Sequence, residues 1–217
     1  MKKSGMIPKV IHQIWLGDQS LKPTNLMKTW EKINPTWEYK LWTEENLPVL
    51  VNQKHFDNYG NNYVGKANIL RYEILKQFGG FYIDADSKAI KPLDDSLLKC
   101  KAFACWENER CRAGIISNGY FASEKNGYTV SKLINEINLF DKIIVKNISG
   151  WRISGVMLLS NIYKQLEKVR EELKVYPSHY FIPTHWSGLK YNGNDDVYCE
   201  QYWGNTLQKY EELKNYE

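Results

Sequence analysis

The sequence predicts an α/β protein with a mainly parallel sheet and flanking helices. Three observations carry that expectation. Short apolar runs rich in β-formers alternate with segments of helical periodicity through the first half of the chain. A glycine pair, Gly79-Gly80, joins the clearest helix directly to the clearest strand. Strands separated by helix-length segments return in parallel through right-handed crossovers. With 217 residues, 43% of them hydrophobic, the chain can build one well-cored domain over residues 1–217.

Residues 10–15 are mostly apolar and β-prone, a first buried strand that Gly17 ends. Residues 23–33 read as a helix, with Pro23 in its first turn and Leu26, Met27, Trp30 and Ile33 facing inward. Asn34-Pro35 stops it, and residues 37–42 alternate as a second strand. Thr43 is placed to cap a helix opening with Glu44 and Glu45. The polar, Asn-rich residues 53–63 read as a loop. Residues 67–78 are helical through Ala67, Leu70, Ile74, Leu75 and Phe78. Gly79-Gly80 ends that helix, since glycine accepts left-handed geometry at a C-terminus, and Phe81-Tyr82-Ile83 is a buried strand. Beyond it, residues 102–106 form a further strand, 107–114 a charged loop and 128–140 an amphipathic helix. Residues 175–183 hold the last strand region, and 208–217 a short polar helix or tail.

Composition narrows the function. The net charge of +4 is mild and both signs are spread along the chain, with no basic run beyond Met1-Lys2-Lys3. That is no signature of a nucleic-acid partner. No apolar stretch approaches the roughly 20 residues of a membrane span. Residues 6–16 are too short for a cleavable leader and are broken by Pro8, His12 and Gln13. Cys100, Cys105, Cys111 and Cys199 fit no C-x-x-C pattern and read as reduced thiols of a cytoplasmic protein. Eight Trp and fifteen Tyr suit sugar and base stacking, although most belong in a core.

The chemistry concentrates in residues 65–92. The strand 81–83 runs into Asp84-Ala85-Asp86, where a period of two puts both carboxylates on one side. Two carboxylates at a buried strand end repel each other and are costly to desolvate. A divalent cation resolves that: Mg²⁺ or Mn²⁺ is typically held by one or two carboxylates plus substrate phosphates. Strand ends are where open α/β sheets place ligands. Asn68 and Arg71 lie three apart on the preceding helix, hence on one face, and give it a polar edge toward the acidic pair. His12, inside the first strand, reads as a structural histidine.

The run A-N-I-L-R-Y-E-I-L-K-Q-F-G-G-F-Y-I-D-A-D resembles the signature of the DXD-containing sugar-transferase family. That family includes Och-type mannosyltransferases, bacterial capsule and lipopolysaccharide glycosyltransferases and, more distantly, the catalytic domains of the large glucosylating toxins. Its signature reads roughly A-x-x-D-x-x-R-Y-x-x-L-x-x-x-G-G-x-Y-x-D-x-D, and Asn68 stands where the family usually has Asp. Asn keeps an acceptor oxygen but loses the charge. The opening I-P-K-V-I-H-Q-I-W-L-G is similar to the family's N-terminal hallmark, so the strand end at Ile14 and Trp15 would carry the nucleotide base. By the same resemblance Asn118 would face the donor sugar. Ser154-Gly155-Val156-Met157 imperfectly matches the family's T-G-P element at a helix start, where N–H groups meet anions; a plain cap at Ser154 is the alternative.

Residues 197–206 stand where relatives carry T-Y-x-x-H-H-W-x-x-S-W, without the paired histidines. Glu200 or Gln201 occupies the first, and Glu200 is the expected third metal ligand, with His185-Trp186 a rival supporting pair. Trp203 would cover the donor. The resemblance implies a GT-A-type fold and a metal-dependent transfer of a hexose from a nucleotide-sugar, UDP-linked or GDP-mannose, with retention at the anomeric carbon. Asp86, with Asp84 directly or through water, would hold Mn²⁺ or Mg²⁺, Arg71 would add positive charge, and Asn68 and Asn118 would orient sugar hydroxyls. The expected acceptor is a surface glycan or lipid-linked glycan met at the cytosolic membrane face, as in capsule or lipopolysaccharide synthesis. A protein-modifying transferase, a binding module without turnover and a nucleotide-sugar hydrolase are the competing expectations.

Overall fold

The computed structural model describes residues 6–140 and 150–216. A six-stranded sheet forms the middle layer: β1 (Val10–Ile14), β2 (Glu38–Trp42), β3 (Gly80–Ile83), β5 (Ala102–Asn108), β6 (Arg112–Ser123) and β7 (Leu173–Tyr176), in the order β2-β1-β3-β6-β5-β7. β1 pairs in parallel with β2 and β3, and β5 in parallel with β7. β6 runs antiparallel between β3 and β5. The sheet is thus mainly parallel, as the alternation of elements requires, with one long reversed strand at its centre.

Helices cover both faces. On one lie α2 (Gln53–Asn58), α3 (Tyr63–Phe78), α4 (Tyr128–Leu139) and α6 (Val156–Gln165), with the short α5 (Gly150–Ile153) and α7 (Glu167–Glu172) beside them. On the other lies α1 (Thr24–Ile33), together with an aromatic cluster in which Phe81, Phe103 and Phe181 meet at centroid distances of 4.8 to 6.3 Å. Period-two alternation sorts β3 between them: Phe81 and Ile83 join the aromatic side, Tyr82 the α3 side. A separate two-stranded sheet pairs β4 (Ser87–Ala89) with β8 (Cys199–Gln201), and α8 (Tyr210–Leu213) closes the chain.

Several boundaries differ from the sequence reading. α3 starts four residues early because the Asn62 side chain accepts the Gly65 N–H at 3.0 Å and caps it. Residues 53–58 are helical rather than loop. No helix follows Thr43: the Asn46 carboxamide accepts its N–H at 2.8 Å, closing a turn that replaces the helical bond. Residues 107–114 are the ends of β5 and β6 with a tight turn between, so this is a hairpin and not a charged loop. Gly155, not Ser154, caps α6; the Ser154 hydroxyl donates back to the Gly150 carbonyl at 3.2 Å.

The α3–β3 junction depends on glycine. Gly79 and Gly80 have φ of +67° and +108°, and a Cβ at position 80 would lie 2.5 Å from the Val10 carbonyl oxygen. Close approach of β3 to β1 therefore leaves no room for a side chain. His12 bridges the same junction: Nε2–H donates to the Gly79 carbonyl at 2.8 Å, and Nδ1 accepts the Trp42 indole N–H at 3.1 Å. The Trp42 bond needs a neutral ring, whereas the Gly79 bond survives protonation. Burial pushes the imidazole from its ordinary 6.5 down to about 4, outweighing the Gly79 bond that favours the cation.

The unfolded chain takes up this proton near 6.5 and the folded chain only near 4, so the unfolded state binds more protons in that window. Stability therefore falls as pH drops from 6.5 toward 4, by at most about 3 kcal/mol from this group. Urea denaturation at pH 7.5 and pH 5 checks it, and His12→Gln removes this part of the pH dependence.

Candidate active site

Ile83 ends β3, and Asp84-Ala85-Asp86 is a turn rather than a continuation of the strand. Both carboxylates still reach one cleft, of about 390 Å³, because the turn is pinned from several sides. The Asp84 N–H donates to the Gly119 carbonyl at 2.9 Å, and its own carbonyl accepts the Gln13 carboxamide at 3.2 Å and the Ser87 hydroxyl at 2.7 Å. Gln13 is itself fixed by the Tyr39 hydroxyl, which donates to it at 2.7 Å.

Arg71 reaches this turn from α3. Its Nη1 donates to the Asn118 carbonyl at 2.6 Å and lies 3.5 Å from Asp84 Oδ1, and the guanidinium covers the Tyr82 ring at 4.3 Å. The Tyr82 hydroxyl donates to the same carboxylate oxygen at 2.8 Å. Asp84 keeps a third of its side chain exposed to the cleft, whereas Arg71 is almost wholly buried. Asn68 and Asn118 are joined: Asn118 Nδ2 donates to Asn68 Oδ1 and to the Tyr72 hydroxyl, both at 3.1 Å. Asn68 Nδ2 donates in turn to the Gly150 carbonyl at 3.3 Å. That bond gives a local reason for Asn at position 68, because a carboxylate has no hydrogen to donate.

Asp86 is buried and tied to the C-terminal segment. The Gly204 N–H donates to its Oδ2 at 2.6 Å, and its carbonyl accepts the Tyr202 N–H at 2.9 Å. Burial, reinforced by the charge of Asp84, pushes its pKa up, while the Gln201 side chain and the Gly204 N–H pull it down. Trp203, between those anchors, takes a left-handed φ of +58° and donates its indole N–H to the Thr184 carbonyl at 2.9 Å.

Ile14, Trp15, Asn68, Arg71, Asp84, Asp86, Asn118 and Trp203 all line the one cleft, so the structure gathers residues spread over nearly two hundred positions of sequence. Trp15 is a wall rather than a bare platform. It is 8% exposed, its N–H donates to the Asp18 carbonyl at 3.0 Å, and Tyr210 meets it edge to face at 5.0 Å.

Glu200 is the correction. Register places it opposite Lys88 in the β4–β8 ladder, on the exposed side, where its carboxylate accepts the Tyr202 hydroxyl at 2.7 Å. Period two then turns Gln201 inward to the cleft, where its carboxamide oxygen accepts the Tyr120 hydroxyl. Among the described residues no group of three His, Cys, Asp or Glu converges on a metal position. The Asp84–Asp86 pair nevertheless fits a hard cation. Asp86 is held charged only against its burial, Asp84 faces the cleft, and two carboxylates leave the remaining positions to donor oxygens and water. Gln13, Tyr82 and Tyr210 were not singled out in the sequence, and Gln201 only as the alternative to Glu200. Of the first three, only Tyr82 carried a signal, as the residue of β3 that must face α3.

This arrangement defines a class: a mainly parallel α/β sheet of GT-A type, with a D-x-D turn at the end of a central strand and a buried arginine beside it. Residues 22–104 match the family described as glycosyltransferase sugar-binding region containing DXD motif. The chain is 30% identical over 123 residues to inositol phosphoceramide mannosyltransferase 3 of Schizosaccharomyces pombe, covering 54% of this chain and 33% of that protein. It is 26% identical over 208 residues to inositol phosphoceramide mannosyltransferase 1 of the same yeast, covering 87% and 63%. The chain thus spans less than two thirds of the length of these curated relatives. The UDP-bound glycosyltransferase domain of the YGT toxin shares the fold with a TM-score of 0.57 at 10% identity, over 80% of each chain.

Two substitutions test the geometry. A Cβ on Gly119 would lie 2.3 Å from Asp84 Oδ2, so Gly119→Ala must displace that carboxylate. Divalent-cation affinity, measured by calorimetry with nucleoside diphosphate present, should fall about tenfold, roughly 1.4 kcal/mol, with little change in melting temperature. Asn68→Asp sets a carboxylate against the Gly150 carbonyl. It should lower stability by about 1–3 kcal/mol in denaturant titration.

Proposed function

We propose that this chain transfers a hexose from a nucleotide-sugar to a hydroxyl of a glycan or glycolipid acceptor, with a divalent cation at Asp84 and Asp86. The observation that carries the reading is the convergence of Asp84, Asp86, Arg71, Asn68 and Asn118 on one cleft. A bound Mg²⁺ or Mn²⁺ would supply Lewis-acid neutralisation of the leaving diphosphate. Arg71 fixes the Asp84 carboxylate and adds a buried positive charge that needs no reorganisation during the reaction. Asn68 and Asn118, locked to each other, present fixed dipoles to sugar hydroxyls. A base lying on Trp15 requires Tyr210 to move off its edge contact.

Apart from Asp84 and Asp86, the carboxylate lining the cleft is Asp18, whose Oδ1 accepts the Ser20 N–H at 2.8 Å as a turn cap. Among the described residues lining the cleft no carboxylate is thereby left free as a nucleophile, so the retaining transfer proposed here runs from the leaving-group face rather than by double displacement. UDP is the favoured nucleotide, with GDP-mannose the competitor; a toxin domain of the same fold is solved with UDP, and the curated relatives are named as mannosyltransferases.

Those names also favour a lipid-linked acceptor over a soluble polysaccharide. Tyr63, Val64 and Trp151 support this, because each lines the cleft and is 37–42% exposed, giving its mouth an apolar rim. Among the described residues no helix is long and apolar enough to cross a membrane. The apolar rim and the mild net charge of +4 favour a peripheral mode at the cytosolic membrane surface.

The test is Mn²⁺-dependent turnover across a panel of UDP- and GDP-sugars, with and without a detergent-dispersed glycolipid acceptor. One donor should be hydrolysed slowly with metal alone and consumed faster with acceptor. Asp86→Ala should lower that rate by about 10²–10³. Donor loss that ignores every acceptor would mean a hydrolase, and no donor binding at millimolar concentration would leave a module without turnover.

A further inference from the structure

A second constellation of reactive side chains lies behind the cleft wall, at the β5–β6 turn. Cys111 is an exposed free thiol, with Sγ 3.3 Å from His185 Nδ1. His185 is 1% exposed, and its other ring nitrogen, Nε2, faces Glu107 Oε1 at 3.4 Å. The tautomer follows from the backbone. The Ser187 N–H donates to Nδ1 at 3.2 Å, so Nδ1 carries the lone pair and Nε2 the hydrogen, which points at the carboxylate. Glu107 is itself buried and ion-paired with Arg112, whose Nε lies 3.1 Å away, and the Ser187 hydroxyl lies 2.8 Å from Nδ1. Trp186 and Trp203 pack against the imidazole at 5.0 and 5.4 Å and hold it in place.

A nucleophile, a base on one ring nitrogen and an orienting carboxylate on the other are the parts of an activated cysteine. The two acidic groups sit on opposite ring nitrogens, so they cannot share one metal ion with the histidine. We propose that Cys111 is a primed thiol that undergoes exchange with disulfides, with His185 as its base and Glu107 as the positioning residue. His185 Nδ1 takes the thiol proton. Sγ attacks one sulfur of the incoming disulfide, a new S–S bond forms as the old one breaks, and the released thiolate takes the proton from the imidazolium. Cys111 is oxidised, and half of the disulfide is reduced. The other thiols are not competitors: burial pushes Cys100 up to about 11 and drives Cys105 and Cys199 upward too.

The experiment follows 5,5′-dithiobis(2-nitrobenzoate) by thionitrobenzoate release from the folded chain between pH 5 and 9. One equivalent should react rapidly, with a rate midpoint at least about one unit below the ~8.5 of an ordinary thiol, and Cys111→Ser should abolish it. His185→Gln should slow the reaction at pH 7 about tenfold and return the midpoint to the ordinary range, with Glu107→Gln in between. A wild-type midpoint near that of a free thiol, which needs no variant to read, would overturn the proposal. So would a His185→Gln chain, folded by circular dichroism, that reacts as fast as wild type.

Discussion

The buried guanidinium of Arg71 is the constraint on which the site depends. It lies on α3 and is almost wholly removed from water, so its charge must be answered inside the protein. The answer comes from three groups on two strands: the Asn118 carbonyl on β6, and the Tyr82 ring face and the Asp84 carboxylate on and just after β3. Satisfying one arginine therefore fixes the distance between helix, central strand and reversed strand. The acidic turn stands where those three meet. Removing the guanidinium would leave Asp84 and Asp86 as neighbouring carboxylates with no compensating charge, which is the costlier side of any buried pair.

The two halves of the acidic turn have different jobs in the fold. Asp84 is held from the sheet side, through Gly119, Gln13 and Arg71, and opens to the cleft. Asp86 is held from the C-terminal side, through the Gly204 N–H and the β4–β8 ladder. The chain from residue 199 onward is thus fastened to the site by backbone bonds to Asp86. Tyr210 reaches back over Trp15 from the same segment. A ligand that binds both aspartates would couple these two parts of the molecule.

The sequence carried the α3-Gly-Gly-β3-D-x-D unit almost completely, because each of its steps has a local physical cause. Helical spacing marked α3, the positive φ at Gly79 and Gly80 demanded glycine, and a short apolar run could only be a buried strand. What stayed hidden depends on register or on distant partners. Glu200 and Gln201 are adjacent, and pairing with β4 alone decides which of them faces the cleft. Thr43 carried a capping signal that a competing Asn46 turn overrode. Gln13 looked like an interruption in a strand, yet it holds the Asp84 carbonyl from 71 residues away. The Cys111–His185 pair is separated by 74 residues and left no trace in spacing.

The central claim is that Asp84 and Asp86 form the cation end of a nucleotide-sugar site. The most direct measurement is a crystal structure of this chain grown with Mn²⁺ and UDP, with anomalous diffraction locating the metal. The account predicts a single strong anomalous peak within about 2.0–2.3 Å of oxygens from Asp86, Asp84 or a water on Asp84, with diphosphate oxygens completing the shell beside Arg71. A nucleotide seated outside the cleft, or a manganese bound with the Asp84–Asp86 pair left vacant, would contradict it.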